Sequence, residues 1–370
     1  MAIATTWSVA LYGVDGVPVE IEADISAGIP GIRLLGLPDP ALRESKDRVR
    51  AAIRNSGEDW PKRQVSLALS PAALPKGGSG YDIALACGVL AAAGTVPATR
   101  LTGTVLLGEL ALDGRLRSVR GILPALLAAR RANLRRAIVP EPALPEAALV
   151  TGMEILGATT LSDLLAWLRG RHDLITEPPP TNRNPDPDAP DLRDVLGQPE
   201  ARWALEVAAA GGHHLLMTGP PGTGKTMLAQ RLTGLLPPLT TDESLEATAV
   251  HSVAGVLSNA GSPLVSDPPF VAPHHTTSVA ALVGGGTGLA RPGAVSRAHR
   301  GVLFLDEARE PLSTPDRASL PGLVMVVGRQ CTRSLPRATG YCVGEAVATE
   351  PLPASPETPS CRAMSQGAGT

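Results

Sequence analysis

The sequence has 370 residues, 44% of them hydrophobic and 18% charged, so it can bury cores for two domains and is no disordered chain. A formal net charge of −2 excludes a global electrostatic pull towards nucleic acid or membranes, and aromatic residues at 2% exclude a surface built from base-stacking rings. None of the four cysteines (Cys87, Cys331, Cys342, Cys361) forms a C-x-x-C pair, which removes a zinc knuckle and a disulfide framework.

The N-terminal stretch MAIATTWSVALYG lacks the basic start and long apolar run of a signal peptide. No run approaches the ~18 apolar residues of a membrane span, so the expectation is a cytoplasmic protein with no membrane partner. Thr6–Tyr12 and Val17–Ala23 read as paired strands joined at Gly13–Gly16. Ala41–Asn55 has apolar positions at helical spacing and stops at Ser56-Gly57. A strand is predicted at Val65–Leu69, a helix at Asp82–Ala93 with Cys87 in its core, a strand at Thr104–Leu107 and a helix at Ile122–Ala132. Strands at Arg136–Val139 and Glu154–Leu156 and a helix at Leu161–Leu168 complete this α/β part. Arg48, Arg50, Arg54, Arg130, Arg131, Arg135 and Arg136 are candidate phosphate contacts, and a solvated helix face accounts for them equally well.

The run Glu177–Pro190, EPPPTNRNPDPDAP, excludes helix and core packing and reads as a linker. A helix over Glu200–Ala210 then precedes the apolar run His214–Thr218 and the residues GPPGTGKT: Gly219, Pro220, Pro221, Gly222, Thr223, Gly224, Lys225 and Thr226. A strand, a Gly-rich loop and a helix opening near Lys225 give the G-x-x-x-x-G-K-[ST] phosphate cradle in the context it requires. The loop N–H groups and the helix N-terminus would face phosphate oxygens, Lys225 would reach the β/γ-phosphates, and Thr226 would take a position on Mg²⁺.

About 80 residues on, Gly301–Leu305 is an apolar strand ending in Asp306-Glu307. In an ATPase site Asp306 would hold Mg²⁺ and Glu307 would polarise the attacking water, the catalytic role. Adjacent His274 and His275 suit neither helical nor strand-face chelation of one metal, so polar packing is expected.

With both ATPase motifs in place, the chain resembles the magnesium-chelatase-like AAA+ ATPases of the YifB/ComM family over residues 1 to about 307. The resemblance rests on GLPDPALRESKDRVRAAIRNSG, LSPAALPKGGSGYDIALA, LLGELALDGRLRSVRGILP, GGHHLLMTGPPGTGKTMLAQRL, VAPHHTTSVAALVGGG and GVLFLDE. It implies an α/β fold: a Lon-protease-like (ribosomal S5 domain 2-like) domain at 1–172, a Pro-rich linker at 173–190, and an incomplete P-loop AAA+ three-layer domain at 191–307. It further implies ATP and Mg²⁺ as cofactors, with Val195 and Gly197 beside the adenine. Self-association into a hexameric ring and a DNA partner, in branch migration or helicase activity during competence and recombination, are implied in the same way. Pro273–Thr277 and Gly284–Gly288 resemble a family insert, which on that reading is a loop facing DNA or a neighbouring subunit.

Aligned on the Lon nucleophile segment, Gly80 stands where the serine should be, with Ser79 one position off, and Leu123 occupies the lysine base position. Leucine accepts no proton, so the first domain is expected to be proteolytically inert. Lys76 with Ser79 is the one substitute dyad available, and a Lon-like peptidase is the alternative reading. Residues 308–370 lose the family pattern: they contain no lysine and many prolines, and only Leu320–Val327 resembles a strand. A frameshift or truncation after about residue 307 is the expectation. Impaired hydrolysis, or a non-catalytic nucleotide-binding module, would follow, because no sensor residue, arginine finger or lid can be assigned.

Overall fold

The computed structural model describes residues 3–178, 190–220, 222–257, 263–285, 291–306 and 324–327. In the first part, β1 (Ile3–Tyr12) and β2 (Asp15–Ser26) form a hairpin, followed by β3 (Gly31–Leu35), α1 (Pro40–Asn55), β4 (Gln64–Ser70) and α2 (Asp82–Ala92). Then come β5 (Thr104–Leu106), β6 (Glu109–Leu110), β7 (Leu116–Arg117), α3 (Ile122–Arg131) and β8 (Arg136–Pro140). The short α4 (Leu144–Ala147), β9 (Glu154–Ala158) and α5 (Leu161–Leu168) finish it.

Seven strands make one mixed sheet in the order β3-β4-β2-β1-β5-β8-β9. The β1–β2 and β2–β4 pairs are antiparallel; the other four pairs are parallel. The period of two along the strands divides their side chains between two cores. Ile21, Ala23, Val65 and Leu67 face α1, α2 and α5, whereas Val9, Val105 and Val139 face α3 and α4. The sheet therefore lies between two helical layers. α1 begins where Asp39 accepts the Leu42 N–H at 2.7 Å and Pro40 pre-sets the first turn. The predicted helices are in place, with ends shifted by a residue or two. β3 was not predicted: GIRLL carries too little alternation to signal a strand. Leu174 is buried and Ile175 bridges Gly157, so the first residues assigned to the linker are held against β9.

The second part runs α6 (Pro199–Gly211), β10 (Leu215–Met217), α7 (Lys225–Leu235), α8 (Thr241–Ala254), β11 (Phe270–Val271) and α9 (Val279–Val283). It continues with β12 (Gly284–Gly285), β13 (Arg291–Pro292), α10 (Ala294–Arg297), β14 (Val302–Leu305) and β15 (Val324–Val327). The sheet order is β10-β15-β14-β11, with β15 antiparallel to both neighbours and β11 parallel to β14. Leu205, Leu228, Ala229 and Leu232 from α6 and α7 pack on Leu215, Met217, Val302 and Phe304. Of the predicted tail strand, Val324–Val327 is found; residues 320–323 lie outside those described.

α8 also escaped prediction, although its signals are in the sequence: a Thr240/Glu243 capping box at one end and left-handed Gly255 at the other. It joins the two parts of the chain. Leu245 and Ala249 enter the core formed by α3 and α4. The approach is close at Gly121, whose φ is +78°; a Cβ there would meet Leu11 Cδ1 at 2.2 Å and Val253 of α8 at 3.4 Å. Among the described residues, no helix is long and apolar enough to cross a membrane.

Candidate functional site

The phosphate loop is built from β10, a Gly turn and the first residues of α7. Gly222 and Gly224 have φ of +86° and +84°, the left-handed conformation that only glycine adopts without strain, and Gly224 caps α7. That geometry leaves the first N–H groups of α7 without helical partners and directs its positive end at the loop. Lys225 Nζ lies over the turn, donating to the carbonyls of Gly219 at 2.8 Å and Pro220 at 2.9 Å. Thr223 Oγ1 donates to Pro220 O at 2.9 Å and tightens the same turn.

β10 and β14 run in the same direction on either side of β15, so β14 brings Asp306 to the same end of the sheet as the loop. Thr226 Oγ1 donates to Asp306 Oδ2 at 3.4 Å, across 80 residues of sequence. A hydroxyl and a carboxylate oxygen so close are the hard donor pair that Mg²⁺ takes, so the residues present fit that ion. Among the described residues no group of three or more His, Cys, Asp or Glu could hold a metal by itself. The pair would thus act with phosphate oxygens and water rather than as a closed protein cage. Glu307 and Pro221 lie outside the described residues.

Val195 is buried, and Gly197, with φ +77°, turns the chain towards the loop. Gln198 was not singled out as a site residue, yet its Nε2 donates to Thr223 O at 2.9 Å and ties this turn to the phosphate loop. Its position just before a Pro at the start of α6 signals a helix opening but not that contact. His274 Nδ1 bonds the Thr276 hydroxyl at 2.8 Å, and its ring lies against His275 with centroids 4.0 Å apart, which is polar packing. Gly284 and Gly285 pair with β13, and residues 286–290 lie outside those described.

The positions aligned with the Lon dyad do not form one. Leu123 is fully buried in α3, and its backbone N–H goes to Glu146. Lys76 is fully buried as well, its ammonium spent on the carbonyls of Gly36, Leu74 and Pro71, and burial lowers its pKa. Ser79 donates to the Glu109 carboxylate instead. Several candidate phosphate contacts also have partners within the fold. Arg48 is committed to buried Asp82 at 2.9 Å, Arg136 to Glu154 at 2.7 Å, and Arg130 to Thr151 O at 2.9 Å. Arg50, Arg54, Arg131 and Arg135 are exposed.

Residues 191–314 match the family model described as magnesium chelatase, subunit ChlI, and residues 21–143 match that for subunit ChlI of Mg-chelatase. An uncharacterized protein of Mycobacterium tuberculosis is 61% identical over 310 residues, 84% of this chain and 61% of the relative. The uncharacterized protein YifB of Escherichia coli is 42% identical over 310 residues, 84% and 60% of the two chains. The competence protein ComM of Haemophilus influenzae is 42% identical over 315 residues, 84% and 61%. The chain thus spans about three fifths of the length of these relatives. A Lon protease of Mycolicibacterium smegmatis is 27% identical over 169 residues, 42% of this chain and 21% of that protein.

Proposed function

Because the chain belongs to the magnesium-chelatase-like AAA+ ATPase family that includes YifB and ComM, with a Lon-like α/β domain ahead of the ATPase fold, we propose that it binds Mg·ATP at the loop 219–226. The observation that carries this reading is the convergence of Thr226 and Asp306 at 3.4 Å at the start of α7. The N–H groups of the loop and of the first turn of α7 would bind phosphate oxygens, and Lys225 would exchange its carbonyl partners for them. Val195 and Gly197, braced by Gln198, would flank the adenine. Thr226 and Asp306 would hold Mg²⁺, which supplies neutralisation of phosphate charge. Glu307 would orient the attacking water as general base.

On this reading the chain comprises an inert Lon-like domain at 1–172, a linker at 173–190, an ATPase core at 191–307 and a tail at 308–370. It works in the cytoplasm, in a ring with other copies, on DNA undergoing branch migration or unwinding. Turnover is proposed to be slow. Such sites need an arginine from a neighbouring subunit, worth about 10³–10⁵ in rate in related systems, and the sequence assigns none.

Titration of the purified chain with ATP, with and without Mg²⁺, beside Lys225→Ala, is the test. Saturable Mg·ATP binding lost in Lys225→Ala supports the site; equal binding by both sinks it. Binding without turnover identifies a nucleotide-binding module rather than a motor.

A further inference from the structure

Asp306 follows directly on β14, so its position depends on the register in which that strand enters the sheet, and Arg300 stands two residues before the strand begins. Arg300 has φ +62°, a left-handed conformation that is strained for a non-glycine residue and persists only where the surroundings impose it. Its guanidinium is held by two carboxylates of α8. Nε and Nη2 donate to Glu246 Oε2 at 3.0 and 2.8 Å, and Nη1 donates to Glu243 Oε1 at 3.2 Å. His299 adds a contact to the same Glu246 oxygen at 3.1 Å. Only 17% of the Arg300 side chain and 20% of Glu243 are exposed, whereas Glu246 is half exposed, so the clamp is buried on its Glu243 side and open to water on the other.

The backbone beyond it is equally fixed. A Cβ on Gly301 would meet Pro269 O at 2.1 Å, and Val302 N–H donates to that carbonyl at 2.8 Å. Glu243 is doubly occupied, because its other oxygen closes the capping box of α8 on Thr240. α8 in turn is anchored at its far end, where the Ser252 hydroxyl donates to Glu146 of the N-terminal part.

We propose that Arg300 is a positioning residue for Asp306, clamping the start of β14 to α8 so that the carboxylate is held against Thr226 for Mg²⁺. The inference rests on the nucleotide-site reading above. The clamp acts on the metal half of the site and leaves the phosphate loop untouched.

The test uses the full chain and reads binding rather than turnover. Fluorescent ADP is titrated in EDTA, ATP binding is followed against Mg²⁺ concentration, and melting temperature is recorded for each variant. Arg300→Gly removes the guanidinium and suits the left-handed backbone; Glu246→Gln weakens the clamp while keeping its shape. The expected result is a rise of about tenfold in the Mg²⁺ needed for half-maximal ATP binding in Arg300→Gly, the size of effect that residues behind metal ligands produce. Glu246→Gln should shift the same way by less, with Mg²⁺-free ADP affinity unchanged in both. An unchanged Mg²⁺ requirement in either folded variant, or loss of ADP affinity in parallel with ATP, overturns the clamp. If the parent chain itself binds neither nucleotide, the nucleotide-site reading falls and takes the clamp with it. If the parent binds through Lys225 and the variants match it, the clamp alone falls.

Discussion

Ser252 of α8 donates its hydroxyl to the carboxylate of Glu146, 106 residues earlier, and the same Glu146 oxygen accepts the Leu123 N–H at 2.7 Å. One carboxylate thus satisfies the N-terminal end of α3 and docks the helix that belongs to the other sheet. Glu146→Ala should destabilise the chain by about 1–3 kcal/mol, because it orphans a backbone N–H in a poorly hydrated place. Glu146→Gln, which keeps an acceptor oxygen, should recover most of that. Urea unfolding of the three proteins at pH 7 measures both effects; equal loss in Ala and Gln would mean that the charge, not the acceptor, matters.

Two glutamates, Glu146 beneath one end of α8 and Glu246 within that helix, have pKa values displaced in opposite directions. Burial pushes the Glu146 carboxyl above its ordinary 4.5, outweighing the hydrogen bonds from Ser252 and Leu123. Its raised folded value means stability that is complete below pH 4.5 and lost as pH rises through the folded value. At Glu246 burial also pushes upward, but hydrogen bonds from Arg300 and His299 and their charges hold the carboxyl below 4.5. Its contribution is present above pH 4.5 and lost as pH falls through the lower folded value. Relative to wild type, Glu146→Gln should therefore gain stability as pH rises above 4.5, and Glu246→Gln should flatten the acid limb below it. Denaturation series at several pH values would show either slope to be absent.

Arg48 and Asp82 form an ion pair in which the carboxylate is wholly shielded from solvent, and Ser45 braces the guanidinium at 2.8 Å. Burial pushes the Asp82 pKa up although Arg48 opposes it. Removing one partner should be far worse than removing both. Arg48→Ala is expected to destabilise by about 3–5 kcal/mol, while Arg48→Met with Asp82→Leu should lose only about 1–3 kcal/mol, for the buried Leu110 N–H left without its acceptor. Melting curves for the single and double variants decide this, and an additive double loss would refute it.

Lys76→Met should destabilise the chain by about 1–3 kcal/mol by stripping the donor from the Gly36, Pro71 and Leu74 carbonyls. It should leave casein cleavage at the same background as Ser79→Ala. Any cleavage that falls in both variants would revive the peptidase alternative.

The phosphate loop was legible because its chemistry is local: the glycines, Lys225 and Thr226 are contiguous and flanked by a strand and a helix. Asp306 was legible for a related reason, as an acid ending an apolar run. Long helices such as Ala41–Asn55 were read from period alone. What escaped was whatever depends on contacts between distant segments. α8 has weak amphipathic character because its faces are divided between α3, the 263–271 region and the loop before β14, so no single apolar stripe appears. Arg48 looked like a free basic residue because nothing in ALRESKDRVR says that Asp82 lies buried beneath it. Arg300 offered no signal at all, since left-handed backbone at an arginine cannot be read from a sequence.

β10 and β14, the strands that deliver the phosphate loop and Asp306, are not neighbours: β15 lies between them and pairs with each through three residues. The two halves of the site are therefore sewn together by a four-residue thread, Val324–Val327, which comes from far along the chain. A chain cut after Asp306 would expose two facing strand edges with a gap one strand wide. The missing segment supplied from outside fits such a gap, so truncated protein should capture an added peptide spanning Val324–Val327, or that strand of an intact copy, where the intact chain does not.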